Sequence, residues 1–210
     1  MKPLISIIIP NYNSSRTIGQ SLQSIVSAAD DAVETIVVDD CSGDSSVDII
    51  ETFPVRLIRL DRHRGASTAR NTGARNSTGQ VLFFMDADCL LQQETLGLVR
   101  SAMEKRGAGT VIGGTYTPVP SDPGFFSLFQ SIFVNYFETK RASSPDYVAA
   151  HALAMDADAF KKAGGFPRDF LPIIEDVEFS HRLRRLGFRL VVEPGVRVSH
   201  IFNFVANAPR

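Results

Sequence analysis

The sequence predicts an α/β fold in which a mostly parallel central sheet is flanked by helices. Three observations carry this. Short apolar runs rich in Val, Ile and Phe recur at residues 4–9, 35–38, 55–60 and 81–85. Their hydrophobicity is continuous rather than alternating, as in strands buried on both faces. Stretches of helical spacing lie between them at 14–29, 46–53 and 66–74, the first carrying Ile18, Leu22, Ile25 and Val26. Strictly alternating strands and helices imply right-handed crossovers and an open sheet.

The remaining elements follow in order. Residues 108–115 read as a strand whose Gly113-Gly114 admits a ligand or a neighbouring backbone. Residues 125–137 are a helix by the spacing of Phe125, Phe129, Ile132, Phe133 and Tyr136. Residues 146–155 read as a strand, 157–163 as a short helix, and Gly164-Gly165-Phe166-Pro167 as a turn. A helix over 173–186 turns Val177, Phe179, Leu183 and Leu186 inward, and strands at 190–192 and 196–199 lead to His200.

Composition narrows the function. With 22 Lys+Arg against 23 Asp+Glu, the chain lacks the basic excess of a dedicated nucleic-acid binder. No apolar run approaches the roughly 18 residues of a membrane span. The opening MKPLISIIIP is too short for a signal peptide and has no small-residue cleavage site after it. Cys41 and Cys89 adjoin acidic clusters and suit a reducing, cytoplasmic setting.

The strand ends carry the chemistry. The first run stops at Pro10-Asn11-Tyr12-Asn13, the second at Asp39-Asp40 and the fourth at Asp86-Ala87-Asp88. Open parallel sheets bind ligands beyond the carboxyl ends of their strands. One such end would be an ordinary loop start or helix cap. Three together define a polar site. Two carboxylates one residue apart can share Mg²⁺ or Mn²⁺ and its bound diphosphate.

At this point the chain resembles a family 2 glycosyltransferase of the GT-A fold, over nearly its whole length from Pro3 to His200. The matching segments are Ser6-Ile-Ile-Ile-Pro-Asn-Tyr-Asn13, Val37-Val-Asp-Asp40, Gly65-Ala-Ser-Thr-Ala-Arg-Asn-Thr-Gly73 and Phe84-Met-Asp-Ala-Asp88. They continue with Gly164-Gly-Phe166, Glu175-Asp-Val-Glu-Phe-Ser-His-Arg182 and the late His200. The resemblance implies one domain over 1–210, with a nucleotide-binding half at 1–106 and an acceptor and catalytic half at 107–210. It implies an inverting, metal-dependent transfer from a nucleoside diphosphate sugar, a UDP-sugar foremost, to an acceptor hydroxyl. The acceptor would be a saccharide or a lipid-linked molecule in polysaccharide or glycolipid synthesis.

By the same resemblance, Pro10, Tyr12, Asp39 and Asp40 line the base and ribose pocket. Asp40 would accept an imide N–H of the base, or else cap the helix at 42–53, a role open to Asp44 as well. Arg70 and Asn71 would face the nucleotide, although Arg70 would serve equally as a surface salt bridge. The family pattern has Asn two residues before Gly65, where this chain has His63. Asp86 would contact ribose, and Asp88 with His200 would bind Mn²⁺ or Mg²⁺. Asp176 is the expected catalytic base, beside Glu175, an expected substrate contact, in a first helical turn whose dipole favours a carboxylate. Gly114 would border the donor sugar, unless it only ends a tight strand, and His151 would face the acceptor.

Two rivals stand outside this class. A sugar-phosphate nucleotidyltransferase would show a Gly-rich basic loop, which residues 10–16 lack. A non-catalytic nucleotide-sugar binder would dispense with Asp88 or Asp176, and both are present. The aromatic stripe at 125–137 suits a membrane surface, a lipid-linked acceptor, the sheet or a second subunit. Packing on the sheet or a homodimer is preferred, because Gln130, Asn135 and Glu138 stand where a membrane helix would be basic.

Overall fold

The computed structural model describes residues 4–122, 124–167 and 174–202. Pro3 and Ile173, the expected starts of the family resemblance and of the last helix, lie outside them. The elements run β1 (Ile5–Asn11), α1 (Ile18–Ala28), β2 (Val33–Asp39), α2 (Ser46–Ile50), β3 (Arg56–Arg59), α3 (Ala66–Arg75) and β4 (Val81–Met85). Then come β5 (Cys89–Leu91), α4 (Thr95–Arg106), β6 (Thr110–Tyr116), α5 (Phe125–Thr139), β7 (Ala152–Asp156), α6 (Ala157–Lys162), α7 (Glu175–Arg185) and β8 (Arg189–His200).

The strands form one eight-stranded sheet in the order β3-β2-β1-β4-β7-β6-β8-β5. β1 pairs parallel with β2 and β4, β2 with β3, and β6 with β8. β7 runs antiparallel to β4 and β6, and β5 runs antiparallel to β8. Alternate side chains of the central strands enter different cores. Ile5, Ile7, Ile9, Phe83 and Met85 pack with Leu22 and Ile25 of α1 and Val99 of α4. Ile8, Leu82 and Phe84 pack with Phe160, Phe166 and Phe179 on the other face. Helices on both sides are why the strands read as unbroken apolar runs.

The structure departs from the sequence expectations in four places. β5 and α4 were not anticipated: β5 is three residues long, and α4 has only a weak apolar stripe. The strand expected from 146 begins at Ala152, because residues up to His151 form a loop pinned by Ser180 Oγ accepting from the Val148 N–H (3.1 Å). The two closing strands are one, β8, which bulges where five steps of β8 (Val192 to Arg197) oppose two of β6 (Gly113 to Thr115). Pro194 and Gly195 sit in that bulge, which hides the strand's continuity from the sequence.

Candidate active site

The carboxyl ends of β1, β2 and β4 and the start of α3 enclose a cleft of about 370 Å³. Pro10, Tyr12, Asp40, Arg70, Asp86 and Asp88 line it together.

Its floor is set by buried polar pairing at the ends of β1 and β2. Asn11 Nδ2 donates to Asp39 Oδ1 (2.8 Å) and to the hydroxyls of Ser46 (3.1 Å) and Ser42 (3.2 Å). Asp39 also accepts from the Ser42 hydroxyl (2.5 Å) and backbone N–H (3.2 Å). Asp39, 1% exposed, therefore stands behind the wall, outside the pocket it was expected to line. Its carboxylate satisfies loop donors that would otherwise be buried and unpaired.

Asp40 reaches the cleft but does not cap α2. Its carboxylate accepts from the backbone N–H groups of Arg64 and Gly65, both at 2.7 Å, and lies 2.9 Å from His63 Nδ1. Asp44 instead ties the approach to α2, ahead of its N-cap Ser45, accepting from the N–H groups of Ser15 (2.9 Å) and Ser46 (3.0 Å). Partial burial opposes ionisation of Asp44, yet these bonds and the Ser46 hydroxyl hold its pKa down to about 2. His63 also packs its ring on Tyr12, centroids 4.1 Å apart. His63 is thus a cleft residue that sequence reading registered only as a departure from pattern.

α3 brings Arg70 to the cleft. The helix lies close on β1 because Gly73 has no side chain: a Cβ there would come 2.4 Å from Ile8 Cγ2. Arg70 is buried, donating from Nη2 to Asp86 Oδ1 (2.6 Å) and from Nη1 to Glu175 Oε1 (2.9 Å). It is no surface salt bridge but a tie between the end of β4 and the first turn of α7. Burial alone would raise the Asp86 pKa, but the Arg70 charge, helped by His151 and His200, holds it below the usual range.

Asn71 turns away from the cleft, contrary to expectation. It donates to the Phe166 carbonyl (2.8 Å) and accepts from the Phe166 N–H (2.8 Å), clamping the glycine turn after α6. An amide offers a donor and an acceptor together, which matches a buried backbone N–H and C=O pair.

Asp176 begins α7 beside Glu175, with Oδ1 accepting from the Val177 N–H (2.8 Å). Burial and the neighbouring Glu175 raise its pKa, against the helix-end N–H and Arg70. The sequence predicted that the helix dipole would dominate; desolvation outweighs it here, and makes the carboxylate more basic.

β5 brings together Asp88 and His200, which the family resemblance paired. Cys89 pairs opposite His200, and the Ile201 N–H donates to the Asp88 carbonyl (2.8 Å). His200 Nε2 consequently sits 3.3 Å from Asp88 Oδ2. Adjacent ligands of an octahedral Mg²⁺ lie about 3 Å apart, so the two atoms are spaced for one ion. Imidazole suits Mn²⁺ better than Mg²⁺. Among the described residues no group of three or more His, Cys, Asp or Glu forms a metal cage. Asp88 and His200 would hold an ion whose other positions fall to phosphate oxygens and water, the usual arrangement for Mg²⁺ with phosphates.

Two expected contacts are corrected. Gly114 is sealed inside the sheet, where a Cβ would meet the Val196 carbonyl at 2.6 Å and Ala152 Cβ at 2.8 Å, so it borders no sugar. His151 is buried, with its ring 4.3 Å from Tyr116 and Nε2 3.5 Å from Glu138 Oε1. Burial would lower its pKa, but Glu138, with Asp86 and Asp176, raises it. No local sequence signal joined His151 to Glu138 on α5.

The chain is similar to several glycosyltransferases. An uncharacterized glycosyltransferase of Haemophilus influenzae is 30% identical over 185 residues, covering 86% of this chain and 62% of that protein. The mannosyltransferase PcManGT of Pyrobaculum calidifontis, solved with GDP-Man and Mn²⁺, superposes with a TM-score of 0.75 at 23% identity, over 95% of this chain and 57% of that one. S. aureus TarS (residues 1–349), solved with UDP-GlcNAc, gives 0.70 at 22% identity, over 93% and 57%. The chain spans less than two thirds of each of these proteins. The fold is that of GT-A glycosyltransferases. The glycosyl transferase family 2 model matches residues 6–160, taking in the floor of the cleft, Arg70 and both ends of the Asp86-Ala87-Asp88 segment, and the chain belongs to that family.

Proposed function

We propose that this chain transfers a sugar from a nucleoside diphosphate sugar, a UDP-sugar foremost, to an acceptor hydroxyl with inversion at the anomeric carbon. The observation that supports this best is Arg70 joining Asp86 in the cleft to Glu175, the neighbour of Asp176 on α7. One buried guanidinium thereby links the nucleotide side to the helix that bears the base.

Tyr12 and His63 offer aromatic faces to the base. Asp40 has three of about four lone-pair sites engaged, leaving one for an imide N–H. Asp86, kept ionised by Arg70, accepts from ribose hydroxyls. Asp88 and His200 would hold Mn²⁺ or Mg²⁺, which when bound offsets the charge of the departing diphosphate. The acceptor oxygen attacks the anomeric carbon from the face opposite the diphosphate, and the bond from that carbon to the diphosphate oxygen breaks. Asp176 takes the hydroxyl proton, and the nucleoside diphosphate leaves with the electron pair. The acceptor is a saccharide or lipid-linked hydroxyl in glycan synthesis.

Calorimetric titration of UDP, GDP, dTDP and ADP, each with and without Mn²⁺, tests the reading. Metal-dependent binding of one imide-bearing nucleotide, lost in Asp88→Ala, is expected. Failure of all four to bind overturns it.

A further inference from the structure

Helix α5 is built inside out. Ser127, Ser131, Asn135 and Glu138 face the protein: Ser127 donates to Asp122 (2.7 Å), Asn135 to the Tyr116 carbonyl (2.8 Å), and Glu138 meets His151. Phe125, Phe126, Phe129, Ile132, Phe133 and Tyr136 face outward, with Phe125 77% and Phe129 58% exposed. At about 100° per residue these six span about 120°, and with Leu128 and Phe137, also exposed, the outward apolar positions fill roughly half the circumference along about 22 Å of helix. No charged residue occurs from Phe125 to Phe137. Two of the polar side chains that seemed to argue against a membrane helix, Asn135 and Glu138, are among those that seat it on the protein.

The geometry points to a lipid bilayer as the occupant of this face. A helix packed on one partner helix or sheet buries an apolar stripe somewhat over 100° wide. A half-cylinder is the surface that an apolar medium covers when a helix lies in a membrane interface. The charges at its end agree. Lys140 Nζ lies 3.6 Å from the centroid of Phe137, so a cation stands at the border of the apolar face, placed for an anionic headgroup, while the neighbouring Arg141 has Asp146 3.9 Å away. Beside them a cavity of about 260 Å³ is lined by Phe137, Lys140, Arg141 and Tyr147, with Glu138 and Asp146 also in its wall. Glu138 contacts the buried His151, so the membrane-facing edge is continuous with the interior next to the candidate site. This inference does not depend on the transfer reading, since it concerns a different face and its test uses no nucleotide.

Flotation with vesicles of phosphatidylcholine and phosphatidylglycerol tests it. The chain is expected to float with the vesicles, and Phe129→Ser/Phe133→Ser to partition at least about tenfold less at an unchanged melting temperature. Since the chain has no tryptophan, Phe129→Trp adds a single reporter, whose emission is expected to shift blue on vesicle addition. No flotation by the unaltered chain, equal flotation by the double variant, or an unshifted reporter overturns the proposal. A dimer in sedimentation that the double variant disperses, with no vesicle binding, assigns the face to a second copy instead and also overturns it.

Discussion

Arg70 and Asn71 are consecutive residues on α3, yet one reaches into the cleft and the other holds the turn at Phe166. They are about 100° apart around the helix, so they serve different surfaces. Asn71→Ala leaves the Phe166 N–H and C=O buried without partners. The expected loss is about 2–4 kcal/mol in urea unfolding, with nucleotide affinity little changed in the folded fraction. Asp176 belongs to the chemistry under the proposed mechanism. Asp176→Asn should lower kcat by roughly 10²–10⁴-fold while leaving donor binding in place. Because a base acts deprotonated, activity should fall as pH drops through the Asp176 pKa, which lies above its ordinary 3.8. Glu175→Gln removes a like charge, so that acidic limb should move to lower pH. A pH–rate profile that stays fixed would argue against Asp176 as the base.

At the scale of elements, the least conspicuous strand has the largest effect on the site. β5 has three residues, too few to show a period, but its antiparallel pairing with β8 sets Asp88 against His200. β6 shows the opposite case, a segment legible as a strand whose glycines left two readings open. Gly113-Gly114 admitted a ligand or a neighbouring backbone, and it is the second that holds: β7, β8 and the loop carrying Val148 fill the room. Gly114→Ala should therefore overpack the sheet, destabilising it by about 1–3 kcal/mol in thermal melts without altering donor specificity. α5 was legible as an amphipathic helix, but periodicity cannot say which face turns inward. That was decided by the buried partners of Ser127, Asn135 and Glu138.

For the whole molecule, one sheet links both halves of the chain, and binding at its strand ends should stabilise all of it. A ligand at a hundred times its Kd adds about 2.7 kcal/mol. For a chain of 210 residues this corresponds to roughly 5–10 °C in Tm. Under the proposed function, differential scanning of the protein with a nucleoside diphosphate and Mn²⁺ should show that rise, and Asp88→Ala should lose the metal-dependent part. An equal shift in Asp88→Ala would separate nucleotide binding from the metal site.

By itself the sequence determined the alternation of strands and helices, the side of the sheet that carries polar strand ends, and the family resemblance. Each follows from local features: continuous apolar runs mean strands covered on both faces, and Asn and Asp at their ends mean unpaired polar groups at one edge. Only the tertiary structure decided which of those groups face the cleft. Asp39 and Asn71 turned to buried backbone and hydroxyl partners, Asp40 was bound by the His63–Gly65 segment, and His200 came to Asp88 across a strand pair. The physical reason is that a buried polar group must be satisfied by whatever donors and acceptors the fold brings within about 3 Å. Those partners lie as many as 112 positions apart in the chain, as Asp88 and His200 do, beyond the reach of any local pattern.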